Sequence, residues 1–137
     1  MQKTLIITPG RCIGCRTCEL ACSFKHAPVK GGLGKSRISI RSIGQESYMP
    51  LTCMQCANPA CMTVCPVHAL WRNEETGAIE VKRDRCIGCA LCTIVCPFGH
   101  IVMGGINEEL NKSVKCDLCG GEPACAAFCP SRALEYA

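Results

Sequence analysis

Sixteen cysteines carry the chemistry of this 137-residue chain, in four groups of four. Cys12, Cys15, Cys18 and Cys22 are spaced C-x2-C-x2-C-x3-C, and Cys86, Cys89, Cys92 and Cys96 repeat that spacing. Cys53, Cys56, Cys61 and Cys65 widen the middle gap to four residues, and Cys116, Cys119, Cys125 and Cys129 widen it to five. No cysteine is left over. Pro66, Pro97 and Pro130 follow the last cysteine of three groups, whereas Ser23 takes that place in the first. This is iron–sulfur spacing. A cubane [4Fe–4S] cluster presents four iron corners, each needing a soft thiolate. Three close cysteines on a tight loop wrap three corners, and the fourth ligand comes from elsewhere, so such motifs work in pairs. Four motifs predict four [4Fe–4S] clusters and hence an electron conduit. The prolines fix the backbone just after the fourth cysteine.

Other uses of the cysteines fit less well. A disulfide scaffold needs an oxidising compartment. The opening MQKTLIITPG shows no basic-then-apolar leader, and no apolar run approaches a membrane span, so the expectation is a cytoplasmic chain without membrane insertion. Structural zinc favours C-x2-C pairs across longer gaps, often with histidine. The 48% of hydrophobic residues includes the cysteines, and there is one Trp. Such a chain hardly buries enough apolar surface to fold alone, so metal binding supplies the missing organisation and the apo chain is expected to be largely unfolded. The formal charge of +4 omits the clusters. Each oxidised cluster with four thiolates carries about −2, which brings the holoprotein near −4 and weakens any nucleic-acid reading. No basic run is interleaved with stacking aromatics.

The remaining chemistry-bearing residues read as supporting ones. His26, His68 and His100 read as packing or solvent-contacting residues, since cysteines already fill every cluster corner. Trp71, six residues after Cys65, shields a cluster from water. Met49, Met54, Met62 and Met103 are packing residues. Lys82, Arg83 and Arg85 precede the third motif, either as a solvated face or as charges that raise a cluster potential or meet a partner. No serine, histidine or carboxylate constellation suggests nucleophilic catalysis, and the GGLG at 31–34 is a loop rather than a phosphate cradle.

The elements that position the motifs are short. Leu5-Ile6-Ile7 precedes the first motif as a strand. Ala69-Leu70-Trp71 and Ile79-Glu80-Val81 flank a turn at Asn73-Glu74-Glu75-Thr76-Gly77, so motif, hairpin, motif is the order around motifs two and three. Ile101-Val102-Met103 and Ser113-Val114-Lys115 are strands on either side of a 104–112 connection, and Leu134-Glu135-Tyr136 is the last strand. Ile38 and Ile40 alternate with polar residues as a further strand, after an exposed loop at 25–36. Residues between each third and fourth cysteine are short helical turns, and Ile13 and Ile87 cover cluster faces. The strand positions favour a nested arrangement. Motifs two and three form a central unit, and motifs one and four an outer one. Spacing alone also permits motif one with two and three with four.

The whole pattern resembles the four-cluster ferredoxin-type subunits of the dimethyl sulfoxide reductase iron–sulfur subunit family. The sharpest match is Cys53-Met-Gln-Cys56-Ala-Asn-Pro59-Ala-Cys61-Met-Thr-Val-Cys65-Pro66, and Pro123 and Pro130 place motif four in the same type. The likeness runs from about residue 5 to 136. It implies an α+β fold of two fused ferredoxin-like units, with short strands and helical turns around four clusters. Residues 1–50 and 105–137 make the outer unit, and 51–104 the central one. It further implies that Cys12, Cys15, Cys18 and Cys129 hold one cluster, and Cys116, Cys119, Cys125 and Cys22 its neighbour. Cys53, Cys56, Cys61 and Cys96 hold a third, and Cys86, Cys89, Cys92 and Cys65 a fourth. Cys89 is present where some relatives lose a motif-three cysteine for a [3Fe–4S] centre. The chain lacks the long insertions and the C-terminal membrane helix of the larger members. That is similar to compact forms accompanying tungsten aldehyde oxidoreductases, formate dehydrogenases, nickel carbon monoxide dehydrogenases and formate hydrogenlyase-type hydrogenases.

Three functions follow as expectations. The first is a non-catalytic electron-transfer subunit between a molybdenum or tungsten pterin or nickel enzyme and a second redox partner, such as ferredoxin or a hydrogenase. The second is a free polyferredoxin serving several oxidoreductases. The third, a cluster-based sensor, needs an output surface or DNA-binding element that the sequence does not offer.

Overall fold

The computed structural model describes residues 2–28, 31–104 and 111–137. Eight short strands pair antiparallel into four two-stranded sheets among the described residues, and four short helices lie between them. Strand β1 (Leu5–Ile7) pairs with β8 (Leu134–Tyr136), with Ile7 opposite Leu134 and Leu5 opposite Tyr136. Backbone bonds extend the ladder, from Thr8 N to Ala133 O at 2.8 Å and from Thr4 N to Ala137 O at 2.8 Å. Strand β4 (Leu70–Arg72) pairs with β5 (Ile79–Val81). Their turn closes because Asn73 Oδ1 accepts from Glu75 N at 2.9 Å and Gly77 takes a left-handed φ of 72°. An Asx turn followed by glycine is the chemistry such a tight reversal needs.

Strand β2 (Ile38–Gly44) pairs with β3 (Ser47–Thr52). Ile38 and Ile40 point inward at 3% exposure, whereas residues 41–47 at the far end are exposed. The sequence signalled β2 but not β3, whose SYMPLT carries Pro50 and no clean alternation. Pro50 is tolerated because a two-stranded ladder has free outer edges. The reversal has Glu46 at φ 62° and a register shift between Ser42 and Gly44. Strand β6 (Val102–Met103) pairs with β7 (Ser113–Val114). The strand before motif four therefore joins the one after motif three. Of the expected 104–112 connection, 105–110 lies outside the described residues, as do 29–30 of the expected 25–36 loop.

Helix α1 (Thr17–Lys25) packs against α4 (Ala124–Ala127), and α2 (Ala60–Val64) against α3 (Leu91–Val95). Helices of four or five residues have no stability of their own. They are held by tertiary contacts, and those contacts run through cysteine. Among the described residues, seven of the eighteen buried apolar side chains are Cys18, Cys22, Cys61, Cys86, Cys92, Cys116 and Cys125. One cluster joins Cys18, Cys22 and Cys125 to Ile38, Ile40 and Leu134. A second joins Cys61 and Cys92 to Leu70, Ile79 and Ile101. No helix among the described residues is long and apolar enough to cross a membrane.

Candidate metal centres

The four cysteine loops share one backbone device. The residue before each second cysteine is left-handed: Gly14 (φ 69°), Gln55 (φ 47°), Gly88 (φ 73°) and Leu118 (φ 53°). This bend turns two cysteines of a C-x2-C pair toward one side. At Gly14 a side chain is also excluded by space, since a Cβ would stand 2.8 Å from the Tyr48 ring. At Gly88 it would collide with the Asn111 carbonyl. Gln55 and Leu118 take the same bend without glycine, at the cost that left-handed backbone carries for ordinary residues.

The prolines act at the other end of each motif. Cys65 and Cys96 are extended at ψ 114° and 113°, as a residue before proline must be. They end α2 and α3, and the chain then turns through left-handed His68 and Gly99, with Arg132 in the same place after Cys129. Motif one has Ser23 instead, and α1 runs on past Cys22 to Lys25.

The folded chain brings the cysteines into sets that mix motifs. Cys12, Cys15, Cys18 and Cys129 line one cavity, with Ile13, Ile40 and Leu134. Cys53, Cys56, Cys61 and Cys96 line another, with Ile79, Phe98 and His100. Cys65, Cys86, Cys89 and Cys92 line a third, with Ile87, Leu70 and Met103. Around Cys125 stand Cys116, Cys22 and Cys119, whose charges press on its thiol. Each set draws three sulfurs from one motif and one from another. All sixteen cysteines are free thiols.

Electrostatics also favours a bound cation in these sets. Burial pushes the Cys18 thiol up to about 11, and burial with neighbouring sulfurs pushes Cys125 up to about 12. Cys61, Cys92 and Cys116 move in the same direction, burial again leading. Against burial, hydrogen bonds hold Cys86 and Cys129 below the ordinary thiol value, but the five raised thiols lack compensating charge, which metal ions supply. Amide donors aim at the sulfurs as well: Arg37 N at Cys22 Sγ, 3.2 Å, and Ala69 N at Cys65 Sγ, 3.2 Å. Soft donors in fours, packed inside apolar walls, fit cubane iron–sulfur clusters.

One part of the surroundings was not read from sequence. His26, expected only to pack or meet solvent, has its Nδ1 3.5 Å from Cys22 Sγ and 3.0 Å from Cys22 O. Its Nε2 lies 3.1 Å from Asp117 Oδ1, and Arg37 Nη1 donates to Asp117 Oδ2 at 2.9 Å. Asp117 Oδ1 also accepts from Cys119 N at 2.9 Å. Burial opposes charge on His26, yet its bonds to Asp117 and the sulfurs hold it up to about 12. Burial likewise opposes charge on Asp117, but His26 and Arg37 hold its carboxyl well below the usual range. The Cys22 thiol, which burial alone would raise, sits below its ordinary value because of His26 and the Arg37 amide. The missing proline after Cys22 was the available signal. It lets α1 continue and puts His26 four residues on, on the same helical face.

The other singled-out residues are placed more simply. Ile13 and Ile87 are exposed at 62% and 64% and each lines a cysteine cavity. His100 stacks on Phe98 with ring centroids 6.1 Å apart, and burial lowers its pKa. Trp71 is half-buried beneath Lys82, whose Nζ is 5.1 Å from the ring centroid, and it lines none of the three cavities. Met54 is exposed at 59% beside Cys53, while Met62 packs on the inner core.

Comparison with known proteins gives the same chemistry. Residues 45–137 match the family described as 4Fe-4S dicluster domain, and residues 11–69 match a second family of that description. The polyferredoxin-like subunit of aliphatic sulfonate oxidoreductase from Pyrococcus furiosus is 38% identical over 125 residues, covering 91% of this chain and 70% of that protein. The putative electron transport protein YsaA of Escherichia coli is 38% identical, covering 98% and 89%. The thiosulfate reductase electron transfer subunit PhsB of Salmonella typhi is 34% identical, covering 98% and 75%. Among solved structures, a chain of the active site complex BamBC of benzoyl coenzyme A reductase superposes with a TM-score of 0.53 at 25% identity, covering 98% of this chain and 78% of that one. The chain belongs to the 4Fe-4S dicluster domain family, as an iron–sulfur electron-transfer subunit rather than a catalytic one.

Proposed function

We propose that this protein relays single electrons through four [4Fe–4S] clusters, between a catalytic molybdenum, tungsten or nickel subunit and a second redox partner. The observation that carries this reading is the mixed lining of the cavities, three cysteines from one motif and one from another. On it, Cys12, Cys15, Cys18 and Cys129 hold one cluster, and Cys116, Cys119, Cys125 and Cys22 the next. Cys53, Cys56, Cys61 and Cys96 hold the third, and Cys86, Cys89, Cys92 and Cys65 the fourth. Motifs one and four with residues 1–50 and 105–137 then form an outer ferredoxin-like unit around a central one at 51–104. The β1–β8 pairing and the α1–α4 and α2–α3 contacts support that division. The proposed affiliation is the dimethyl sulfoxide reductase iron–sulfur subunit family, and the second and fourth motifs support it.

When bound, each cluster supplies a one-electron couple. The chain's own residues do the rest. Cysteine thiolates anchor the metal, Ile13, Ile87 and Phe98 stand over the cavities against water, and backbone amides such as Arg37 N and Ala69 N donate to sulfur. Donors and burial of this kind set where a couple lies.

Anaerobic isolation from the native host in mild salt tests the reading. The expected result is about sixteen irons per chain and a stoichiometric large subunit containing molybdenum, tungsten or nickel. A lone protein reduced by several unrelated enzymes would instead assign a free polyferredoxin.

A further inference from the structure

Lys115 is 2% exposed, rare for a residue of its type, and its bonds join motif four to motif two. It leaves β7 just before Cys116. Its Nζ donates to the Ile79 carbonyl in β5, to Cys116 O at 2.7 Å and to Gln55 Oε1 at 3.4 Å. Gln55 completes the joint, donating through Nε2 to Cys116 O at 2.8 Å and accepting from Ile79 N at 2.8 Å. All three acceptors of the ammonium are neutral oxygens. No carboxylate among the described residues forms an ion pair with it. A buried ammonium without an anion is costly, and proteins resolve that cost by pairing the charge. The anions at hand are sulfurs from both halves. Lys115 Nζ reaches the Cys116 carbonyl of motif four, Gln55 between Cys53 and Cys56, and Ile79, which lines the cavity of Cys53, Cys56, Cys61 and Cys96. Cys53 packs beside Cys116 in the same small core. This is where a cysteine of motif two comes close to one of motif four.

We propose that Lys115 is a positioning residue for electron transfer, the shared counter-cation of the Cys53–Cys56–Cys61–Cys96 centre and the Cys116–Cys119–Cys125–Cys22 centre. A fixed positive charge favours the more negative, reduced form of a redox group. Lys115 therefore raises both couples together and keeps them matched where an electron crosses between the units. Its bonds to Ile79 and Gln55 fix the charge in place and also tie motif four to motif two. The inference rests on the cluster assignment proposed above.

The test is an anaerobic redox titration of the holoprotein followed by electron paramagnetic resonance, with iron counted on every sample. About sixteen irons in the unaltered protein uphold the four-cluster reading whatever the variants do, and a clear shortfall fails that reading separately. Lys115→Met should keep its iron and lower the reduced-to-oxidised ratio of two centres by about tenfold at fixed poise, which is about 59 mV for a one-electron couple. The other two centres should stay put. Lys115→Arg, which keeps the charge, should restore the two midpoints. Midpoints unmoved in Lys115→Met, or all four displaced alike, overturn the proposal. Should Lys115→Met lose iron, Gln55→Glu places a negative charge against a retained Lys115. The same two midpoints must then fall, and unchanged midpoints overturn the proposal.

Discussion

Replacing Asp117 with alanine breaks the tie between the end of α1 and the motif-four loop. Asp117 receives Arg37 Nη1 at 2.9 Å, His26 Nε2 at 3.1 Å and the Cys119 amide at 2.9 Å. The side chains of Arg37 and His26 are only 11% and 10% exposed, and Arg37 Nε has no partner to fall back on. Removing the anion strands buried positive charge, which costs about 3–5 kcal/mol when a pair is fully enclosed. Asp117 itself is 32% exposed, so water screens part of the attraction and the lower end applies, about 3 kcal/mol. At 1.4 kcal/mol per decade that is roughly a hundredfold. Cluster loss from such a protein is irreversible, so the readout is a rate. Decay of the visible iron–sulfur absorption in anaerobic guanidinium should speed up toward a hundredfold in Asp117→Ala. Asp117→Asn keeps an acceptor oxygen and should fall between. Adding Arg37→Met to Asp117→Ala should cost less than the separate effects combined, because one of the two stranded positive groups is then gone. A rate within twofold of wild type in Asp117→Ala, or strict additivity in the double variant, would refute the account of this site.

Three further outcomes are expected. Cys129→Ser should perturb the centre that Cys12, Cys15 and Cys18 serve and spare the spectra of motifs two and three; disturbance of a motif-three signal instead would break the nested pairing. Ile79→Ala, at a position 1% exposed in the core with Cys61 and Cys92, should destabilise by about 2–5 kcal/mol, read as faster decay of the cluster absorption in anaerobic guanidinium, while Ile43→Ala, 58% exposed, should stay within about 0.5 kcal/mol and leave that rate nearly unchanged. Stripping iron with a chelator should collapse the far-ultraviolet circular dichroism, since so much of the core is cysteine; retention of native dichroism by the apo chain would contradict this.

The strands beside the motifs could be read from sequence because each is a short apolar run bounded by a cysteine loop or a turn. Leu5–Ile7, Leu70–Arg72, Ile79–Val81 and Leu134–Tyr136 fall where the runs placed them, within a residue. β3 was hidden because Pro50 and the adjoining Cys53 obscure its period, and because its partner β2 is itself half-exposed. How β6 and β7 find each other was not legible either, since two-residue ladders carry no register information of their own. At the site, cysteine spacing singled out the thiols that the fold then gathers into sets mixing two motifs, because three thiols on one loop have few other uses. The residues that act on those thiols from a distance left no such mark. Lys115 looked like one more strand residue and Gln55 drew no notice inside its motif; only folding shows that they meet. His26 was nearer to legible, once Ser23 is seen to let the helix run.

The pairing of β1 with β8 bears on how the protein is made. Ile7 lies opposite Leu134, whereas Arg72 lies opposite Ile79, a loop roughly eighteen times shorter. The entropy of closure grows with the logarithm of that ratio and disfavours the long loop by about 2–3 kcal/mol. During synthesis the segment holding motifs two and three leaves the ribosome and can fold and load metal while motif one waits. On the proposed pairing, Cys12, Cys15 and Cys18 stay exposed to oxygen and stray metals until Cys129 and β8 emerge. That pairing predicts maturation staged from the middle outward, with the early, unpartnered thiols of motif one the place where an interrupted or oxidised nascent chain fails first.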